Sequence, residues 1–257
     1  MAAEGSDRII QGLWIGAELS VMEQLSVSSF LLNGHEYHLY VYDEMGNVPE
    51  GAVVKDANEI LPRSSIFQYK HQASYAGFAN FFRYKLLLER GGWWVDTDVV
   101  CLKPFDFVDE HVFSTETCRG EEVIHSGIIK APAGSSVMAY AWGVCQGKNP
   151  SELVWGETGP RLMTEAVGRF SLAHFKQPFR AFCPLEYSDW HKVLEPDFEG
   201  GFGPETYAVH LWNEMWRADG QDKNARYHAA CFYERLKRKY LGRRGTRTSR
   251  RSPGSFE

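Results

Sequence analysis

The spacing of hydrophobic residues alternates along the chain between a strand-like and a helix-like period. The order of these stretches predicts that the chain begins with a βαβ unit. The apolar run "RIIQGLWIG" stops at Gly16, and "YHLYVYD" (37–43) is rich in β-formers before the turn-forming "DEMGN". Between these two runs, apolar residues from Leu19 to Phe30 follow helical spacing, and Asn33 with the next glycine supplies an end signal. Strand, helix and strand in this order are typical of an α/β fold.

An aromatic helix followed at once by an apolar strand is the clearest pattern in the chain. "YAGFANFFRYKLLLER" (75–90) has no internal breaker and stops at a glycine pair. Asn80 and Arg83 lie three positions apart on it, so their side chains share one face. The strand "WWVDTDVVCL" (93–102) follows directly.

The remaining patterns extend the α/β alternation without an internal repeat. They predict a strand at "EVIHSGIIKAP", a helix at "SSVMAYAWGVCQ", a helix entered at Pro160 in "VWGETGPRLMTEAVGRF", and a late strand at "TYAVHLW". Residues 225–241 predict a basic amphipathic helix, and "RRGTRTSRRSPGSFE" has the composition of a disordered tail. We therefore expect one domain over 1–224 and a basic helix with tail over 225–257.

Two carboxylates, Asp96 and Asp98, stand one residue apart where the predicted strand stops being purely apolar. In a continuous strand both would project from the same face and repel, so water, a cation or a change of backbone direction must separate them. Ligands of open α/β sheets bind at the carboxyl ends of strands, and an oxygen-only ligand set suits Mg²⁺ or Mn²⁺. The alternative is a solvated strand end in which one aspartate caps a turn and the other pairs with Lys103.

Composition narrows the class of protein. With 257 residues, 44% hydrophobic and 24% charged, the chain is neither of disordered nor of membrane-embedded composition. The five cysteines are scattered without a C-x-x-C pair and predict reduced core thiols, and no histidine pair has ligand spacing. No leader pattern or run of eighteen apolar residues occurs, so we expect a cytoplasmic protein.

Charge is distributed unevenly along the chain. Residues 235–257 hold nine Lys or Arg and one Glu, a net charge of +8, which leaves −13 on the remainder of a chain whose total is −5. The acidic body argues against a nucleic-acid groove. The basic end predicts attraction to an anionic membrane surface, and a solvated tail without a partner is the alternative.

The block "NFFRYKLLLERGGWWVDTDVVCLKPFD" resembles the sugar-binding region containing DXD of the family 32 glycosyltransferases. "QGLWIG", "SGIIKAPAGS", "GETGPRLMT" and "HLWNEMW" follow in the family's order, so the resemblance spans about residues 8–216. It implies a GT-A fold, a single Rossmann-like α/β domain with a mixed central sheet flanked by helices. It also implies retaining transfer of a sugar from a nucleotide-sugar, with Mn²⁺ or Mg²⁺ as cofactor.

The resemblance assigns roles around the DXD motif. Asp98 would bind the cation directly, and Asp96 would reach it through water or hold donor hydroxyls. Arg83 would contact the donor sugar, unless it only forms a salt bridge on its helix. Asn80 occupies a position where the family commonly has Asp, which leaves the choice of donor sugar open. His210 would complete the metal site, with a core histidine as the alternative.

Other blocks of the resemblance supply contacts to the donor and the acceptor. Trp14 and Ile15 would lie against the nucleobase, although Trp14 suits a core equally well. Trp212 and Trp216 would close over the donor or only pack. Further contacts are expected from the "GETGP" loop and the strand before it, namely from Glu157, Thr158, Ser126 and Gly127.

These observations predict a metal-dependent retaining glycosyltransferase that uses a UDP-sugar, or second GDP-mannose, and a glycan, glycolipid or other acceptor hydroxyl. No residue has the pattern of a glycosidase nucleophile. The alternative is a glycan-binding or partner-binding protein of the same fold without catalysis. No nucleic-acid partner is expected, and the location is cytoplasmic or peripheral at the inner face of a membrane.

Overall fold

A computed structural model describes residues 9–118 and 120–242. Eight strands lie in two sheets: Ile9–Trp14 (β1), Glu36–Val41 (β2), Val53–Asp56 (β3), Gly92–Val95 (β4), Val99–Cys101 (β5), Val112–Cys118 (β6), Glu121–Ala131 (β7) and Ala208–His210 (β8). The α-helices are Val21–Leu32 (α1), Ala76–Arg90 (α2), Ser136–Gln146 (α3), Leu162–Arg169 (α4), Phe179–Phe182 (α5), Asn213–Ala218 (α6) and Phe232–Tyr240 (α7).

The central sheet is mixed and has the order β3-β2-β1-β4-β7-β6. Strands β1 to β4 run parallel, and β7 and β6 are antiparallel to their neighbours. The chain leaves β1 toward β2 on one side and later returns as β4 on the other. The crevice beyond β1 and β4 is therefore the point where strand order reverses, which is where open α/β sheets bind ligands.

Two hydrophobic layers cover the faces of this sheet. Trp93 and Trp94 are adjacent in β4 and point to opposite faces, so each belongs to a different core cluster. Phe30 of α1 packs in the Trp93 layer, and Phe82 of α2 lies with Trp94 in the other. The α/β architecture predicted from the alternating patterns is confirmed.

The turn from α2 into β4 requires glycine. Gly91 has φ 65°, and a Cβ there would lie 2.5 Å from the backbone nitrogen of Ala133. Helix and strand can therefore join without a loop, and β4 carries the chain directly to Asp96.

The predicted strand over 93–102 is wrong at its centre. The chain turns after Val95, where the N–H of Val99 donates to the carbonyl of Asp96 at 3.1 Å, and β5 then pairs with β8 in a separate sheet. A change of backbone direction thus separates Asp96 from Asp98, which is one of the ways their repulsion can be relieved.

Two helix boundaries also differ from the sequence prediction. Glu157–Arg161 forms a π-helical turn, and α4 begins only at Leu162 rather than at Pro160. The basic helix begins at Phe232 instead of 225, and its buried face joins the Trp93 core layer through Tyr233 and Leu236. The predicted boundary at 224 stays a prediction, and the tail from 243 lies outside the described residues.

Among the described residues, no helix combines the length and the apolar character needed to cross a membrane.

Candidate active site

Asp96 is held at the end of β4 by two donors that converge on one oxygen. Its Oδ1 accepts hydrogen bonds from Nη2 of Arg83 and Nε1 of Trp94, both at 2.8 Å. The other oxygen, Oδ2, lies over Gly127, where an added Cβ would be 2.7 Å away. The carboxylate is therefore oriented by its neighbours and remains 27% exposed.

Arg83 connects three elements beneath the carboxylates. It lies on α2, donates from Nη1 to the carbonyl of Ser126 in β7, and reaches Asp96 with Nη2. Its guanidinium also sits 5.0 Å from the ring centre of Trp94. Its side chain is only 4% exposed, so the charge is balanced by Asp96 and not by solvent.

Asp98 has a different set of partners. Its Oδ1 lies 3.1 Å from Nε2 of His210, and its Oδ2 accepts the N–H of Asn213 at 2.8 Å. Burial opposes ionisation, but the His210 ring and the Asn213 amide outweigh it and lower the pKa of Asp98. Burial acts in the same direction on Asp96, where with the Asp98 charge it outweighs Arg83 and raises the pKa. The two carboxylates are thus chemically distinct.

The three predicted metal ligands meet at this point. Asp96, Asp98 and His210 each offer a ligand atom, and these atoms lie within 4.8 Å of one another. Two carboxylates in a partly exposed cleft suit a hard divalent cation that keeps open positions for phosphate oxygens. The residues present therefore fit the metal that the sequence pattern implies.

Gly127 allows this arrangement because the strand passes very close to the acidic pair. Its carbonyl accepts the N–H of Asp96 at 2.8 Å, and an added Cβ would lie 2.3 Å from Cε1 of His125. Any side chain at this position would displace Asp96 or His125. The approach of a ligand to the backbone at Ser126 and Gly127, expected from the glycine inside the strand pattern, stays a prediction.

Asn80 and Ser126 extend the site from α2 and β7 toward the 157–161 turn. Asn80 donates from Nδ2 to Oγ1 of Thr158 at 3.3 Å, and both Asn80 and Ser126 lie about 3.3 Å from where a Cβ on Gly159 would be. Thr158 is fully buried, so it does not present the exposed side chain that a contact to donor or acceptor would need. Its carbonyl accepts from Tyr84, which fixes the turn against α2.

Glu157 forms an ion pair with Lys148. It pairs with Lys148 at 2.5 Å and accepts the N–H of Val154, and these bonds lower its pKa. Its side chain is 29% exposed. An acceptor contact there would have to compete with the lysine.

The aromatic residues predicted to contact the donor differ in their position relative to the site. Trp14 and Ile15 are half-buried at the end of β1, beside the crevice, and Nε1 of Trp14 donates to Glu18. Trp212 has a left-handed backbone (φ 58°) and lies 4.0 Å from His210 between ring centres. Trp216 is fully buried, which agrees with the packing alternative and not with a place over the donor.

Packing explains the position of Trp216. Its ring lies 5.2 Å from Trp190 and 4.9 Å from Tyr233, and its Nε1 donates to the carbonyl of Leu211. It therefore anchors the segment that carries His210 and Asp98's partner Asn213.

Sequence reasoning missed His125, Cys183 and Asn213. The first two are far apart in the chain and lack ligand spacing, and Asn213 acts through its backbone amide. Trp94 was seen as part of an apolar strand, but its indole N–H is a direct partner of Asp96. Only the W-x-D spacing, which places the side chains of Trp94 and Asp96 on one face of a strand, indicates this hydrogen bond in the sequence.

Residues 20–116 match the family "Glycosyltransferase sugar-binding region containing DXD motif". A curated relative from Homo sapiens, an "Alpha-1,4-N-acetylglucosaminyltransferase", is 23% identical over 184 residues. The alignment takes 62% of this chain and 51% of the relative, so the chain spans about half the length of the protein it matches.

Solved structures give a more distant likeness. "PaToxG Glycosyltransferase" aligns over 91% of this chain and 84% of its own, with a TM-score of 0.48 and 14% identity. A chain titled "Structure of Transferase" aligns over 67% of this chain and 88% of its own, with a TM-score of 0.41 and 10% identity.

Proposed function

We propose that this chain transfers a sugar from a nucleotide-sugar donor in a metal-dependent reaction, because its residues 20–116 match the DXD-containing glycosyltransferase region and a glycosyltransferase relative aligns with it. The observation that carries the proposal is the meeting of Asp96, Asp98 and His210 within 4.8 Å at the crevice where strand order reverses. The GT-A type of α/β fold, with its mixed sheet between helices, accords with this activity.

Asp96 and Asp98 would hold Mn²⁺ or Mg²⁺ through their free oxygen lone pairs. When bound, the ion supplies Lewis-acid stabilisation of the negative charge on the departing diphosphate. His210 holds Asp98 through Nε2, and its sequence-based assignment as a further ligand of this ion remains a prediction.

The chain's own residues position the donor. Arg83 holds the carboxylate of Asp96 in one orientation. The carboxylate therefore does not have to move when it binds a donor hydroxyl or a water on the metal. Trp14 and Ile15, at the end of the neighbouring strand β1, form the side of the crevice suited to a nucleobase. Retention of configuration is part of the proposal through the family resemblance.

We propose a UDP-sugar as donor, with GDP-mannose second, and a glycan or glycolipid hydroxyl as acceptor. Asn80 lies on the inner face of α2, is 6% exposed and bonds Thr158. An amide there can both donate to and accept from sugar hydroxyls, whereas the carboxylate common in the family can only accept. Asn80→Asp is accordingly expected to change the ranking of donor sugars.

A cytoplasmic, peripheral location at an anionic membrane is the final part of the proposal. It is supported by the composition of residues 243–257, which contain five Arg and one Glu. Each cationic residue near anionic lipid contributes on the order of 1 kcal/mol of attraction.

Nucleotide-sugar hydrolysis in the presence of Mn²⁺ tests the activity without knowledge of the acceptor. We expect turnover of one nucleotide-sugar class, lost with EDTA and reduced at least ~100-fold in Asp98→Asn, because the amide removes the charge that binds the ion. Asp109→Asn, which changes an exposed aspartate outside the site, is the matched control.

Binding without turnover is the outcome that would overturn the proposal. If donors protect the protein against thermal unfolding but none is cleaved with Mn²⁺ or Mg²⁺, the chain is a binding protein of this fold. Equal turnover by Asp98→Asn and Asp109→Asn would remove Asp98 from the mechanism.

A further inference from the structure

A second set of ligand atoms lies behind the acidic pair, on the side away from solvent. His125, Cys183 and His210 are all buried, and one nitrogen from each ring and the Cys183 sulfur lie within 4.8 Å of one another. We propose that this cluster is a separate site for a softer divalent cation, for which zinc has the best matching chemistry. The proposal concerns another ion and shares only His210 with the donor site, and it rests on His125 and Cys183, so it does not depend on the proposed glycosyl transfer.

The fold gathers these residues from three separate segments. His125 lies on β7 of the central sheet, Cys183 follows α5, and His210 ends β8 of the small sheet. Helix α5 packs against β6, and the rings of His125 and His210 are 4.7 Å apart between centres. The cluster is therefore the place where the small sheet meets the central sheet.

Within the described part of the chain, His210 has a buried ring nitrogen without a partner, and this nitrogen points to a ligand. Its Nε2 contacts Asp98 at 3.1 Å, while its Nδ1 is buried and has no hydrogen-bond partner among the described residues. Leaving a buried polar atom unpaired is destabilising. Histidines that bind metals commonly give their second ring N–H to a carboxylate, and the Asp98 contact is of this kind. An ion at Nδ1 would satisfy the ring on both sides.

The donor set distinguishes this site from the acidic one. Two imidazoles and a thiolate are ligands of zinc and related borderline cations, whereas Mg²⁺ and Mn²⁺ prefer carboxylate oxygens. Bond lengths of about 2.0–2.3 Å separate the ligand atoms of a tetrahedral zinc site by roughly 3.3–3.6 Å. Adjustments of about one ångström would bring the three atoms to this spacing, and water can occupy the fourth position.

Binding at this place would involve the release of a proton. Imidazoles bind metals in the neutral form, and a cysteine binds them as the thiolate, so its thiol must give up a proton. Binding replaces that proton by the cation and releases it to solvent, and a neutral thiol becomes a metal thiolate.

The ion would stabilise the geometry of the donor site. It would join β7, the end of α5 and β8 at one point, and through His210 it would fix the orientation of Asp98. We therefore expect zinc to raise the melting temperature of the protein even in the absence of any nucleotide-sugar.

Cobalt(II) titration of the chelator-treated full chain tests the site by absorption. One equivalent is expected to give tetrahedral d–d bands and a thiolate-to-cobalt charge-transfer band, which zinc removes and excess Mn²⁺ leaves. Cys183→Ser should abolish the charge-transfer band and weaken cobalt binding more than ~100-fold, because loss of a direct ligand exceeds the 10–100-fold effect of an outer-shell partner. Cys145→Ser, at a buried free cysteine outside the cluster, should retain both the charge-transfer band and the affinity for cobalt.

Asp96→Asn separates the two sites, because Asp96 belongs only to the acidic set. The cobalt thiolate band should persist in this variant. X-ray absorption at the zinc edge of the unaltered protein needs no variant and should report one sulfur and two imidazole nitrogens. A spectrum with oxygen ligands only, or a thiolate band that survives in Cys183→Ser, would overturn the proposal.

Discussion

Nη2 of Arg83 lies 2.8 Å from Oδ1 of Asp96, so the long aromatic helix α2 and the end of strand β4 are joined directly beneath the candidate active site. Asp98 has no such contact with Arg83 and is held instead by His210 and the amide of Asn213. The two aspartates of one short motif thus have different electrostatic partners. This difference supports separate roles, with Asp96 fixed for the donor and Asp98 strongly ionised for the cation.

Arg83→Lys should impair both activity and stability. A lysine has no planar fork and cannot bond the Ser126 carbonyl and Asp96 together, so one buried group loses its partner. We expect at least ~10-fold lower kcat/KM for donor hydrolysis and a loss of about 1–3 kcal/mol in unfolding free energy. Arg90→Lys, at an exposed arginine that pairs with Glu59, is the control and should be nearly silent in both assays.

Gly127→Ala should disturb the acidic pair by steric contact alone. The added methyl group would lie 2.7 Å from Oδ2 of Asp96 and 2.3 Å from His125, which is too close for either group to remain in place. We expect donor hydrolysis to fall and the melting temperature to decrease. Gly143→Ala, inside helix α3 with nothing within 4 Å, should instead stabilise by about 0.5–1 kcal/mol. Equal effects at the two glycines would contradict the close approach.

Glu116 makes stability depend on pH near neutrality. Burial raises its pKa in the folded protein to about 7 from an ordinary 4.5, and the nearby His210 opposes this only in part. The folded state therefore binds the proton more tightly than the unfolded state, and unfolding free energy should fall as pH rises from about 4.5 to about 7. Above that range the loss is complete.

Glu116→Gln should remove this dependence. At pH 8 and in EDTA, we expect the variant to be more stable than the unaltered protein by about 1–3 kcal/mol, with a smaller difference at pH 4.5. Urea unfolding of both proteins at the two pH values measures this difference in unfolding free energy. Glu121→Gln, on an exposed residue of the same hairpin, should show no such change. A variant that is less stable at pH 8 would refute the effect.

A chain ending at Gly242 tests the membrane proposal while leaving α7 intact. Helix α7 must be kept because Tyr233 and Leu236 are buried in the core. We expect the shortened protein to lose binding to vesicles that contain anionic lipid, with unchanged donor hydrolysis, because five of its arginines have been removed. Undiminished vesicle binding, or binding that 0.5 M salt (a Debye length of about 4 Å) does not weaken, would exclude the tail as an electrostatic anchor.

The sequence determined those features that depend on neighbouring residues. Helix α2 and its glycine stop were predictable from local propensity, since they require only a run without breakers and a residue that tolerates φ 65°. The same holds for the parallel βαβ beginning and for Arg83 and Asn80 on one helix face. The DXD pattern also marks Asp96 and Asp98 without reference to any contact.

Tertiary structure alone decided which groups surround that motif. The turn between Asp96 and Asp98, the burial of Trp216, and the convergence of His125, Cys183 and His210 depend on residues brought together from distant parts of the chain. Periodicity records whether a side chain faces a core or solvent, and it does not record which other segment it meets there. For that reason the sequence located the two acids, and the fold supplied their partners.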